Sequence, residues 1–139
     1  YDPDMGLSVT LSCSAAGHAW MSTMTDEQAL ERVAQQGFGL PQDFGPKAPT
    51  TDKALLTYLR AARKRGYSMI NEVFPPAMTA MAAPVRIGNG TVTGVITIAG
   101  PLVRLTEYRM QTLAPLLLET AEDVARASGA SALFRRKTA

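Results

Sequence analysis

AMTAMAAPVRIGNGTVTGVITIAGP, residues 77–101, is the stretch on which the reading of this chain turns. Met78, Ala80, Ala82 and Pro84 alternate with Thr79, Met81, Ala83 and Val85. That period of two puts successive side chains on opposite faces of a sheet. Gly88-Asn89-Gly90 accepts positive φ at low cost, as a hairpin turn requires. The return segment, Thr91 to Ala99, is mostly β-branched and suits a pleated surface. Thr91, Thr93, Val95, Thr97 and Ala99 share one face; Val92, Gly94, Ile96 and Ile98 share the other. Gly100-Pro101 is expected to stop the strand. One face of this hairpin is small and mildly polar. Small residues in mid-sheet leave room, and that room reads as a ligand pocket.

Around this hairpin the chain is one domain's worth of sequence, 139 residues, long enough to bury a core. Hydrophobic residues make up 46% and charged ones 19%, a globular balance. A net charge of +2 is too weak for a nucleic-acid surface. Arg135, Arg136 and Lys137 read as a solvated basic terminus. Cys13 has no partner cysteine, which excludes an internal disulfide and fits a reducing cytoplasm. No run approaches the roughly 20 apolar residues of a membrane span. No signal peptide is visible, and Tyr1 as first residue suggests a piece of a longer protein.

In chain order, Leu7 to Cys13 (LSVTLSC) alternates as a half-buried strand does. It runs through Ser14-Ala15-Ala16-Gly17 into a short helix, His18 to Met24. Free backbone N–H groups and the helix dipole favour an anion at such a start. Thr25-Asp26-Glu27-Gln28 has the spacing of a capping box, opening a helix that Gly37 stops. Gly39 to Pro49 reads as a loop. Thr50 or Thr51 caps the next helix, Asp52 to Arg65, with Leu55, Leu56, Leu59 and Ala62 inward. A short strand, Tyr67 to Ile70, and a stiff Pro75-Pro76 loop lead into the hairpin. Thr106 then caps the longest helix, which runs to about Ser128 with Gly129 as its stop. Its expected apolar stripe is Leu105, Met110, Leu113, Leu116, Leu117, Thr120 and Val124, with a kink at Pro115.

Few residues here suit catalysis. One His and one Cys do not fill a zinc site, so neither metal nor cofactor is expected. A nucleophile, Ser14 or Cys13, with His18 as base would make a small hydrolase or acyl-transfer enzyme. No third group supports that pair. Glu72, the acid nearest the hairpin, reads as a loop carboxylate bonding backbone donors. Met69, Met78 and Met81 read equally as lining of an adaptable pocket and as plain core.

The motifs in order are LSCSAAGHAWM, TTDKALLTYLRAARKRGYSM, Glu72, MAAPVRIGNGTVTGVITIAGPLVRLT and a long helix ending ARASG. Together they resemble the effector-binding domain of the IclR (isocitrate lyase regulator) family of bacterial transcription factors. The resemblance implies an α+β, GAF-like fold: an antiparallel sheet flanked by helices, here truncated at its N-terminal side. It covers residues 7–129, with 130–139 as a C-terminal tail. It also implies a ligand, a small organic or aromatic acid, lying against the sheet. By motif, its carboxylate meets the backbone of Ala15, Ala16 and Gly17, and its body meets Ile70, Ala80, Thr97 and Ala99. Three of those last four are apolar, so the expected effector is a largely apolar acid. Operator DNA would be bound only by a separate N-terminal winged helix-turn-helix domain, and the effector domains would form homodimers or homotetramers. Two rival readings are the Ser14/Cys13–His18 enzyme and a dimerisation module with a filled core.

Overall fold

In the computed structural model, residues 9–72, 77–88 and 90–130 are described. Leu7, Ser8, the Pro75-Pro76 pair, Asn89 and the basic residues Arg135, Arg136 and Lys137 lie outside them. Five helices and three strands follow one another: α1 (Ala15–Met21), α2 (Asp26–Gln36), α3 (Pro41–Phe44), α4 (Asp52–Arg65), β1 (Ser68–Asn71), β2 (Met78–Arg86), β3 (Val92–Pro101) and α5 (Glu107–Ala130). The strands form one antiparallel sheet in the order β1-β2-β3. Helices lie on both of its faces. The α+β architecture is the one expected.

The hairpin forms in register as its alternation implies. Ala80 faces Ala99, Met81 faces Ile98 and Ala82 faces Thr97. The register slips between Val85 and Arg86, where Val92 comes to lie opposite Arg86. Such a bulge reverses the alternation beyond it, so the simple face assignment fails for the first residues of β3. The strand also continues through Gly100 and Pro101. Pro101 is tolerated because β3 has a partner on one side only among the described residues, leaving a missing donor without cost.

Helix boundaries follow local chemistry. At α2 the capping box is complete: Gln28 N–H donates to Thr25 Oγ1 (3.2 Å) and Thr25 N–H donates to Gln28 Oε1 (3.1 Å). Thr51, not Thr50, caps α4, accepting from Ala54 N–H at 3.2 Å. Gly66 ends α4 in the left-handed region at φ 85°, where a Cβ would be strained. Arg60 and Arg63 of α4 both grip Asp26, which joins the α2 start to α4. The stretch 39–49 is not all loop, for Pro41 opens the single turn of α3.

Two further sequence expectations fail. The first is the strand over Leu7 to Cys13. Leu11–Cys13 is instead a 3-10 turn, closed by Cys13 N–H donating to the Thr10 carbonyl (3.2 Å). Side chains take the place of a strand partner: Gln36 accepts from Leu11 N–H (2.8 Å) and donates to the Val9 carbonyl (2.9 Å). The neighbouring helix then begins at Ala15 rather than His18. The second concerns α5, which passes through Gly129 to Ala130. Its buried face is Met110, Ala114, Leu117 and Ala121, while Leu116 and Val124 are exposed. The stripe is narrower and carries alanines, because Ala is what fits where helix and sheet approach closely.

The two sheet faces pack differently. Against α5 lie Met81, Ala83 and Val85, with Met69, Ile96 and Ile98 beside them. Thr79 donates its hydroxyl to the Leu105 carbonyl and ties the sheet to the start of that helix. Against α1 lie Ile70, Ala80 and Ala82, met by Cys13, Ala15 and Ala19. A third cluster, Met21, Ala29, Val33, Leu55 and Leu59, joins α1, α2 and α4 beyond the sheet.

Candidate functional site

The candidate site is built from the start of α1 and the sheet face beneath it. Ser14 is the N-cap, its backbone extended and its Oγ accepting from Gly17 N–H at 3.0 Å. That bond engages one of the three expected anion donors. Ala15 and Ala16 are the first two residues of the helix, whose N–H groups have no intrahelical acceptor. Gly17 is needed for a different reason from anion binding. A Cβ there would fall on the Leu11 backbone, so the 3-10 turn and α1 approach as closely as they do only through glycine. Ser68 Oγ donates to the Ala15 carbonyl (2.6 Å) and pins α1 to β1.

Beneath this helix, Ile70, Ala80 and Ala99 stand side by side across the three strands as register partners. Ile70 is 2% exposed and Ala80 8% exposed, both packed in one cluster with Ala15. Over β1 and β2, therefore, α1 itself occupies the room that the small residues leave. Thr97 and Ala99 on β3 are exposed. The seven residues thus divide: Ala15, Ile70 and Ala80 meet in an apolar floor, Ala16 and Gly17 lie on the helix start above it, and Thr97 and Ala99 form an open margin.

This geometry has relatives. The family model described as bacterial transcriptional regulator IclR C-terminal matches residues 2–126. The chain belongs to the IclR family. It corresponds to the C-terminal effector-binding domain of such regulators. The HTH-type transcriptional repressor AllR of Escherichia coli K12 is 30% identical over 128 residues, covering 92% of this chain and 46% of the repressor. The chain therefore spans about half the length of the curated relatives it matches. Among solved structures, a double mutant of the PobR inducer-binding domain from Acinetobacter, in complex with 3-hydroxybenzoic acid, superposes with a TM-score of 0.74 at 20% identity. That match covers 90% of this chain and 77% of the other. The C-terminal domain of the Escherichia coli regulator KdgR gives 0.73 at 22% identity, covering 84% and 69%. These likenesses establish the IclR-type fold.

The family and its relatives are regulators of transcription, not enzymes. The side chains once considered for catalysis fit structural roles in this IclR-type domain. His18 is 1% exposed, and its Nε2 donates to the Ser12 carbonyl at 2.7 Å rather than facing Ser14. Burial holds its pKa down to about 4, against a smaller opposing effect of the Ser12 hydrogen bond. The imidazole is neutral at pH 7, and its ring packs 5.1 Å from that of Tyr58. Cys13 is fully buried under α1. Glu72 forms an ion pair with Lys47 at 3.0 Å, a side-chain partner where backbone donors were expected. Met81 is core, and Met69 lies at the margin of the α5-side cluster. No group of three or more His, Cys, Asp or Glu is gathered for a metal among the described residues. None of the described helices is long and apolar enough to cross a membrane.

Two surface clefts were not anticipated from sequence. One, of about 270 Å³, lies between the end of β2 and α5, at Arg86, Ile87, Gly88, Glu122, Ala125 and Arg126. Arg126 there is paired with Glu122 and Asp123 of its own helix. The other, of about 260 Å³, lies between α4 and β1. Neither includes the residues assigned from the resemblance. Both depend on contacts between segments distant in sequence, and no local pattern marks them.

Proposed function

We propose that this domain senses a small, largely apolar carboxylic acid and passes the signal to a separate winged helix-turn-helix domain that binds operator DNA in the cytoplasm. The observation that carries this reading is the sheet face under α1. Its residues are small, and on β3 Thr97 and Ala99 are exposed. The carboxylate would accept from the N–H groups of Ala15 and Ala16, beside the Ser14–Gly17 cap. The body would lie across Ala99 and Thr97, beside the buried Ile70 and Ala80. The complex of a double mutant of the PobR inducer-binding domain with an aromatic acid supports this class of ligand.

Signalling then follows from differential affinity. An acid that binds one arrangement of subunits more tightly shifts the population toward it, and so changes the spacing of the DNA-binding domains. The domains would pair as homodimers or homotetramers. Exposed apolar side chains on α5, Tyr108, Leu116 and Val124, offer contacts for this. Native mass spectrometry of the full-length regulator with a library of aromatic and aliphatic acids tests the ligand class. A mass shift with apolar acids is expected, and none with any acid would defeat the reading. Sedimentation of the same protein should show more than monomer at tens of micromolar.

A further inference from the structure

The exposed side of α5 carries a row of side chains that is matched about its own middle. Met110, Ala114, Leu117 and Ala121 of this helix are buried, packed with the sheet residues Met81, Ala83 and Val85. Away from them, Tyr108, Thr112, Leu116, Thr120 and Val124 recur every four residues, about one helical turn. All are exposed except the half-buried Thr120. Both threonines turn their hydroxyls back onto the helix. Thr112 Oγ1 donates to the Tyr108 carbonyl (3.0 Å) and Thr120 Oγ1 to the Leu116 carbonyl (2.7 Å). Covering this row would therefore leave neither threonine donor unpaired, which removes a main cost of burying it.

Charge is arranged about the same midpoint. Before Leu116 stand Arg104 and Arg109 against Glu107. Arg109 has no carboxylate partner among the described residues. After Leu116 stand Glu119, Glu122 and Asp123 against Arg126. Arg126 pairs within the helix with Glu122 and Asp123, so that end keeps an excess of acid. Counting outward from Leu116, Thr112 mirrors Thr120, Tyr108 mirrors Val124 and Arg109 mirrors Asp123. Two copies of α5 crossing antiparallel at Leu116 would thus set a basic end on an acidic end twice. A parallel pair would set acid on acid.

We propose that this row is a two-fold interface between two copies of this chain, with Leu116 on the axis. The inference rests on the homo-oligomeric reading above and gives it a surface and a register. Rows of residues four apart interdigitate in the commonest class of helix crossing. Leu116 meets its own copy at the crossing, with Thr112 and Thr120 to either side and Tyr108 toward the partner's Val124. Arg109 reaches toward the partner's Asp123, and symmetry makes that pair twice. A surface that complements itself closes at two copies instead of growing into a filament. The hairpin under α5 carries Thr97 and Ala99 on its other face, so one sheet lies between this contact and the proposed effector position.

The test is oxidative cross-linking of the full-length regulator carrying Leu116→Cys, with sedimentation of charge variants beside it. Mild oxidation should join two copies through position 116, and peptide mass mapping should find that disulfide. Native Cys13 is fully buried and does not compete. Val124→Cys lies about 12 Å along the helix from the axis and should not join to its own copy. Arg109→Asp sets acid against Asp123 and should weaken self-association at least about tenfold. Arg109→Asp combined with Asp123→Arg should restore it to within about threefold of the parent. Self-linking at position 124 would mean a parallel pair and would overturn the proposal. Oligomers undiminished in Arg109→Asp, or without a disulfide at position 116, would overturn this register while leaving the homo-oligomer standing. A parent that stays monomeric would overturn both. A monomer whose thiol at position 116 resists alkylation would show that another segment of the regulator covers the row, and would equally overturn the interface.

Discussion

The two faces of the sheet are made by the same two strands and behave as different materials. Toward α5 the hairpin presents Met81, Val85, Ile96 and Ile98, which interlock with Met110 and Leu117 as a conventional core. Toward α1 it presents Ala80, Ala82, Thr97 and Ala99, which fill little volume. That side is covered by the alanines of α1, with Thr97 and Ala99 of β3 left exposed. Period-two alternation thus lets one hairpin give one face to a bulky core and keep the other small. Which face is which follows from side-chain size.

The largest effect should separate the faces outright. Met81→Ala, at a fully buried position on the α5 side, is expected to cost about 2–5 kcal/mol. Thr97→Ala, on the open margin, should stay within about 0.5 kcal/mol. Urea denaturation of both variants checks the contrast, and equal losses would erase it.

Acid should weaken the α1 side selectively. The folded pKa of His18, about 4, lies below the ordinary value of 6.5, so folding favours the neutral ring. Its contribution is complete above pH 6.5 and is lost as pH falls from there toward 4, because the unfolded chain takes up the proton and the fold does not. Between pH 7 and pH 5 this amounts to about 2 kcal/mol. His18→Gln should flatten the stability profile over that window; a parent profile already flat would contradict the burial of His18 as a neutral ring.

Enlarging the small face divides it internally. Ala80→Phe pushes into the packed cluster with Ala15 and Ile70, and should cost roughly 1–3 kcal/mol in thermal melts. Ala99→Phe points to open space and should change stability by less than about 0.5 kcal/mol. A sharp loss in both would mean that the small face is closed along its whole width.

This internal division shows how far the sequence could be read. The hairpin, the capping box at Thr25 and the α4 limits were legible, because each rests on local periodicity or capping chemistry. So was the smallness of one face. What fills it was not, since the alanines of α1 reach β2 only through tertiary packing. The stretch before α1 misled for a related reason. Alternation in Leu7 to Cys13 suggested a strand, but Gln36, far along the chain, satisfies its backbone instead. On α5 the choice of Leu116 and Val124 over Ala114 and Ala121 followed hydrophobicity, whereas close approach to the sheet selects small residues.

The central claim is that the open end of the small face receives an apolar acid, and thermal melting of parent and Ala99→Phe with 3-hydroxybenzoate and a panel of aliphatic acids tests it most directly. A ligand at a hundred times its Kd should stabilise the parent by about 2.7 kcal/mol. Ala99→Phe should melt like the parent without ligand and show no such gain with it. A parent that responds to none of these acids, or an Ala99→Phe variant that responds as fully as the parent, would contradict the account.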